Sequence, residues 1–220
     1  MTRLIVLPDL HDKGNMLKQI ARPLMDADAV ILAGDMTNGS MVHLLRVFAI
    51  LEELNEHIYA VPGNLDTDGV LAHLSREGLN LHRTHQMLDG FALCGVGGAL
   101  PFAGKFVFNE TQFAQMLNDC IDGVRADVPK ILVSHQPPYN TLIDQLPDGT
   151  HVGSRSVRAF IEQTQPLICF SGHIHEAQGI EKLGETLLIN PGPLWQSHAY
   201  AYAELDEGRV QTLEIRRIET

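Results

Sequence analysis

LIVLPDLH (residues 4–11), AVILAGD (29–35), IYAVPGN (58–64), ILVSH (131–135) and LICFSGHIH (167–175) share one plan: a short apolar run that ends in Asp, His or Asn. The apolar parts are three to five residues long and rich in Ile, Val and Leu. Runs without polar alternation are buried on both faces, as in a parallel sheet flanked by helices. Between the first three runs lie segments of helical periodicity, residues 16–27 and 41–54. In the second, Leu44, Leu45, Phe48, Leu51 and Leu54 are read as one buried face. Strand, helix, strand, helix, strand in this order predicts βαβ units.

Further along the pattern changes. Residues 87–88, the turn Asp89-Gly90 and residues 91–96 predict a hairpin. A glycine-rich loop (95–98) and a helix over 110–124 follow. The loop matches neither dinucleotide nor nucleotide-phosphate glycine motifs, so tight turns explain it. Ser134-His135 lacks a G-x-S-x-G elbow and does not mark a serine hydrolase. A helix is predicted over 157–164, capped by Ser154 or Ser156. The tail predicts antiparallel strands at 179–182, 186–189, 199–205 and 209–215, so the class is α/β with mixed sheets. No repeat or linker interrupts residues 1–220, which read as one domain.

The composition narrows the function. The formal charge is −11, from 16 basic and 27 acidic residues, with 11 histidines held apart. A surface of that sign disfavours long nucleic acids, whose binding draws on basic side chains. No apolar run reaches the roughly 18 residues of a membrane span, and the start, MTRLIVLPDLHD, turns polar too soon for a secretory signal. Cys94, Cys120 and Cys169 are odd in number, widely spaced and without a CxxC pair. They read as small buried hydrophobes in a reducing compartment, which places the chain in the cytoplasm.

In an open α/β sheet, ligands bind beyond the carboxyl ends of the strands. Five strands deliver Asp9, His11, Asp35, Asn64, His135, His173 and His175 to that edge. Glycines 34, 63 and 172 let backbone pass close to whatever these side chains hold. All seven are oxygen or imidazole donors. Seven exceed one tetrahedral ion, whereas a shared carboxylate lets them fill two metals of higher coordination. Two divalent ions about 3.5–4 Å apart activate a bridging water and stabilise both oxygens of an in-line phosphoryl displacement. Asp12, Asp66 and Asp68 read as supporting or helix-cap residues.

These residues resemble the calcineurin-like metallophosphoesterase superfamily, whose ordered signature is D-x-H, G-D, G-N-[H], an isolated H, and G-H-x-H. In this chain the parts are Asp9-Leu-His11, Gly34-Asp35, Gly63-Asn64, His135 and Gly172-His-Ile-His175, with Asn190-Pro-Gly192 similar to the closing turn. The resemblance implies a four-layer α/β/β/α sandwich of two mixed sheets and a dinuclear centre at its edge. One metal would take Asp9, His11, Asp35 and His175. The other would take Asp35, Asn64, His135 and His173, with Asp35 bridging. It implies Mn2+ foremost, with Fe, Zn2+, Co2+ or Ni2+ also compatible.

One residue departs from the pattern: Leu65 stands where members active on monoesters carry a proton-donating His. The nearest match is the small bacterial and archaeal phosphodiesterase-like subgroup that also lacks it. The resemblance therefore implies a phosphoesterase for phosphodiesters or activated esters, in which a metal-bridging hydroxide attacks phosphorus. Asp35, Asn64 and His135 would carry the chemistry on a small phosphorylated substrate. The alternative is a non-catalytic metal-binding scaffold for protein interaction. Residues 136–155 form a loop too long for a plain connection. It is read as a cleft wall with Asn64, Tyr139 and His151 as substrate contacts; Asn140 is a further possible contact. His85, His151 and His198 are the histidines that could replace the missing proton donor, and surface roles are the readings favoured for them.

Overall fold

The computed structural model describes residues 1–218; Glu219 and Thr220, the end of the one-domain reading, lie outside the described residues. One sheet contains β1 (Thr2–Leu7), β2 (Ala29–Ala33) and β3 (Ile58–Val61) in parallel, extended by β10 (Ala199–Asp206) and β11 (Arg209–Arg217) in the order β11-β10-β1-β2-β3. The second contains β4 (Thr84–Leu88), β5 (Phe91–Val96), β6 (Lys130–Ser134), β7 (Ile168–Phe170), β8 (Gly179–Leu183) and β9 (Thr186–Asn190), ordered β4-β5-β6-β7-β9-β8. Strands β5, β6, β7 and β9 are parallel, while β4 and β8 pair antiparallel at its edges. The tail strands thus divide between the sheets: β8 and β9 complete one, and β10 pairs antiparallel with β1 in the other.

Alternate residues of each central strand enter different cores. Leu4, Val6 and Ile31 meet Leu93, Ile131, Val133 and Phe170 between the sheets. Ile5, Leu7, Val30 and Leu32 face α1 (Ala21–Asp26), α2 (Met41–Glu52) and α3 (Asp68–Arg76). Cys94, Leu132, Cys169 and Leu188 face α4 (Glu110–Cys120) and α5 (Arg155–Thr164), together with Cys120. Two helical layers enclosing two sheets make the α/β/β/α sandwich. All three cysteines are free and buried in this last core.

Three local expectations change. The helix expected over residues 16–27 is a 3-10 turn, Gly14–Ile20, followed by the short α1. Pro23 lacks an N–H and fits only the first turn of an α-helix, so α1 begins at Ala21. On α2 the buried residues are Leu44, Val47, Phe48 and Leu51, whereas Leu45 is 52% exposed. Val47 occupies the inward place that Leu45, a third of a turn away from Leu44, cannot reach. Helix α4 ends at Cys120, ahead of the expected 124, and Ser154 is the residue that caps α5.

Candidate metal centre

The sheet edge gathers the candidate ligands. Asp9 Oδ1 lies 3.7 Å from His11 Nε2 and 3.4 Å from His175 Nε2, and the two imidazole nitrogens are 3.1 Å apart. Asp35 Oδ2 is 4.0 Å from His11 Nε2 and 3.6 Å from His135 Nε2, between the two groups as a shared carboxylate would be. Asn64 Oδ1 is 3.1 Å from the same His135 nitrogen. His173 joins through its ring, 5.2 Å from that of His135, and its N–H, which donates to Asp9 Oδ2 at 3.0 Å. Six candidates converge side chain to side chain, and the seventh borders them. Asp9 belongs to both potential triads, Asp9–His11–His175 and Asp9–Asp35–His135.

The backbone is bent to achieve this. Asp9, His11, Asp35 and His173 have φ of 56°, 44°, 47° and 66°. Left-handed conformations cost non-glycine residues about 1–2 kcal/mol each and collect at functional sites. The glycines allow the close approach, and what they approach is the ligands themselves. A Cβ on Gly63 would fall 2.1 Å from Asp35 Oδ1, and one on Gly172 2.5 Å from Asp9 Oδ2.

Hydrogen bonds aim the donors. His135 Nδ1 donates to the Ala33 carbonyl at 2.8 Å, which turns Nε2 toward Asp35. The Asn64 amide donates to the Ala103 carbonyl at 3.0 Å, which turns its oxygen inward. His11 Nδ1 donates to Asn38 Oδ1 at 3.0 Å, and Asn38 Nδ2 donates to Asp12 Oδ2 at 3.0 Å. Trp195 Nε1 donates to the Asp9 carbonyl at 3.1 Å, with its ring edge-on to His11 and His175. Asp66, read from sequence only as a supporting or cap residue, ties two loops together. It accepts from Gly63, Met36 and Thr37 N–H and from Thr37 Oγ1. Burial and nearby Asp35 push it up to about 7, against four donors that favour its ionised form.

The charges suit cations. Burial would raise the Asp35 carboxyl, but His135 and the Leu65 N–H hold it below its ordinary range. Burial disfavours charge on His135, yet Asp35 and Asp9 outweigh it and raise it to about 9. His173 is driven down to about 4 by burial and then by His135, so it stays a neutral imidazole. Asp9 Oδ1 is buried with no hydrogen-bond partner. An acceptor-only oxygen so placed beside two imidazole nitrogens fits a cation, and the all-N/O donor set fits a divalent metal.

Tyr139 and His151 sit in the expected loop, but the loop has structure. Buried Asp144 accepts from the N–H of Asn140, Thr141 and Gly153 and from His151 Nδ1 at 2.7 Å. The Tyr139 and His151 rings are 6.0 Å apart, with the Arg155 guanidinium 3.9 Å over Tyr139.

An Asp/His/Asn constellation, buried at Asp9, Asp35, Asn64 and His135 and half-buried at the other histidines, at the carboxyl edge of a two-sheet α/β/β/α sandwich is the arrangement a metallophosphoesterase-type centre requires. The chain belongs to the calcineurin-like phosphoesterase superfamily, whose domain it matches over residues 2–208. Its members are hydrolases that use divalent metals. The chain is 35% identical over 199 residues to the uncharacterized protein MJ1162 of Methanocaldococcus jannaschii, covering 87% of this chain and 88% of that one. It is 28% identical to the UPF0046 protein K07C11.7 of Caenorhabditis elegans, over 86% of this chain and 68% of that one. Among solved structures, TT1561 of Thermus thermophilus superposes with TM-score 0.76 at 20% identity, over 99% of both chains. A dimetal phosphatase from Danio rerio superposes with TM-score 0.67 at 14% identity, over 94% of this chain and 93% of that one. At those identities the likeness concerns the fold. No described helix is long and apolar enough to cross a membrane.

Proposed function

We propose that the protein is a dinuclear metal-dependent phosphoesterase acting on phosphodiesters or activated phosphate esters of small molecules in the cytoplasm. The observation that carries this reading is the unpartnered Asp9 Oδ1 facing His11 and His175 beside an Asp35 carboxylate shared with His135. Asp9, His11, Asp35 and His175 would hold one cation, and Asp35, Asn64, His135 and His173 the other. When bound, the pair supplies Lewis acidity and a water activated for attack on phosphorus.

The remaining work falls to the chain. The Leu65 N–H donates to Asp35 Oδ1 at 2.8 Å and leaves Oδ2 free to face both groups. Asn64 and His135, fixed through Ala103 and Ala33, orient the phosphoryl oxygens as charge develops on them. Tyr139 and His151 border the organic part of the ester. Leucine at 65 cannot protonate a leaving alkoxide, so esters with good leaving groups are favoured.

The test is turnover of a bis-aryl phosphate with added Mn2+ by wild type and by Asp35→Asn. The wild type is expected to hydrolyse it and the variant to lose that activity; equal rates would sink the mechanism. Mn2+ bound by the chain with no hydrolysis of any ester offered would favour the metal-binding scaffold reading instead.

A further inference from the structure

Residues 99–106 fold over Asn64 and are fastened to it. The Ala103 carbonyl accepts from Asn64 Nδ2 at 3.0 Å. The N–H groups of Lys105 and Phe106 donate to the Asn64 carbonyl at 3.0 and 3.2 Å. Gly104 is required at the crossing, because its φ is +86° and a Cβ there would fall 1.9 Å from that carbonyl. At the other end the Leu100 N–H donates to Oε1 of Gln136, the residue after His135, at 2.9 Å. The loop is thus tied directly to one candidate ligand and through a chain neighbour to another.

On this fixed support Phe102 is 91% exposed, while Phe106 is buried with its ring edge-on to His82 and Phe108. A single exposed apolar side chain needs no explanation by itself. Phe102 differs because it stands between Leu100 and Ala103, which are hydrogen-bonded to Gln136 and Asn64 at the metal edge. It adjoins Ala103, so its ring stands within roughly 12 Å of the Asn64 amide. It is also the one aromatic among the strongly exposed large apolar residues of the described chain. Trp195, another aromatic at this edge, is engaged with Asp9, His11 and His175.

Resting on the phosphoesterase reading, we propose that Phe102 is a specificity-determining residue that stacks on a planar ring in the organic group of the ester. A phenyl face accepts nucleobase and aryl rings alike, and ring stacking depends little on which ring is offered.

The test compares binding to the Mn2+-loaded full chain within two ligand pairs: adenosine monophosphate against ribose 5-phosphate, and phenyl phosphate against methyl phosphate. Calorimetric affinities are read as the ratio of ring-bearing to ring-free ligand. The wild type is expected to prefer the ring by about tenfold, the scale of one stack. Phe102→Ala is expected to bring the ratio near unity, and Phe102→Trp to restore it. A preference in both pairs assigns any planar ring, and one in the adenosine pair alone assigns a nucleobase; either supports the proposal. A ratio near unity in the wild type, or one untouched by Phe102→Ala, overturns it. So does a Phe102→Ala variant that changes only the sedimentation coefficient, which gives the ring to self-association. These ratios are readable whether or not any ester is hydrolysed, so their failure is distinct from failure of the phosphoesterase reading.

Discussion

The Asp66 carboxylate accepts at one oxygen from Gly63 and Met36 N–H (2.9 and 3.2 Å) and at the other from Thr37 N–H and Oγ1 (3.0 and 3.1 Å). Asp66→Asn keeps the volume but replaces one acceptor with a donor. The amide's best orientation turns Nδ2 toward Thr37, whose hydroxyl can accept, and keeps the oxygen for Gly63 and Met36. The Thr37 N–H is then left without an acceptor where both residues are fully buried. An orphaned buried donor costs about 1–3 kcal/mol. Urea unfolding of the metal-free protein is expected to show that loss below the Asp66 value of about 7, where the protonated carboxyl can still accept from the Thr37 N–H and the amide nitrogen cannot. The loss amounts to roughly 2–12 °C in Tm for a chain of this size, and it shrinks above that value, because a carboxyl raised above its unfolded value costs the wild type stability as pH climbs through it. Asp66 also joins the loops that carry Asp35 and Asn64, so Mn2+ affinity should fall with stability. A loss below about 0.5 kcal/mol, the scale of an ordinary surface substitution, would refute the reasoning.

Other perturbations address the ligands. Asn38→Ala removes the acceptor that aims His11 and should weaken Mn2+ binding about 10- to 100-fold by metal titration; unchanged affinity would dismiss the role. In metal-free protein, His135 is raised from 6.5 to about 9, so its contribution is full below 6.5 and is lost as pH rises through 9. That loss is on the order of 3 kcal/mol, read as falling unfolding free energy across this window and absent in His135→Ala. Mn2+ affinity should run the opposite way, rising with pH as the imidazole sheds its proton. Leu65→His places a proton donor beside Asn64 and is expected to raise kcat/KM for alkyl monoesters by about 10²-fold or more, with less effect on aryl diesters.

The convergence of the candidate residues was legible because each follows an apolar strand, and the parallel strands β1–β3 of one sheet and β6–β7 of the other end on a common edge. The sheet class was legible from the same runs. What lay beyond reach depends on partners distant in the chain. Asn38 meets His11 across 27 residues and Trp195 meets Asp9 across 186, with no local signature in either stretch. Asp66 showed as a polar residue near a turn, but its four donors come from two loops that only the fold brings together. Helix α3 and the single-turn helix α6 (Leu194–Ser197) are too short to present a clear apolar period. The loop over Asn64 is held by backbone bonds, which any sequence could make, and only Gly104 marks the crossing.

Trp195 is the single tryptophan in the chain. Its indole touches both histidines of one potential triad and donates to the backbone of the third member. Ultraviolet emission from this protein therefore originates within one side-chain length of the candidate metal centre. Titration with paramagnetic Mn2+ or Co2+ should quench it stoichiometrically, and diamagnetic Zn2+ should shift it with little quenching. The fold has in effect placed an optical reporter at the metal edge, so occupancy can be followed without a substrate.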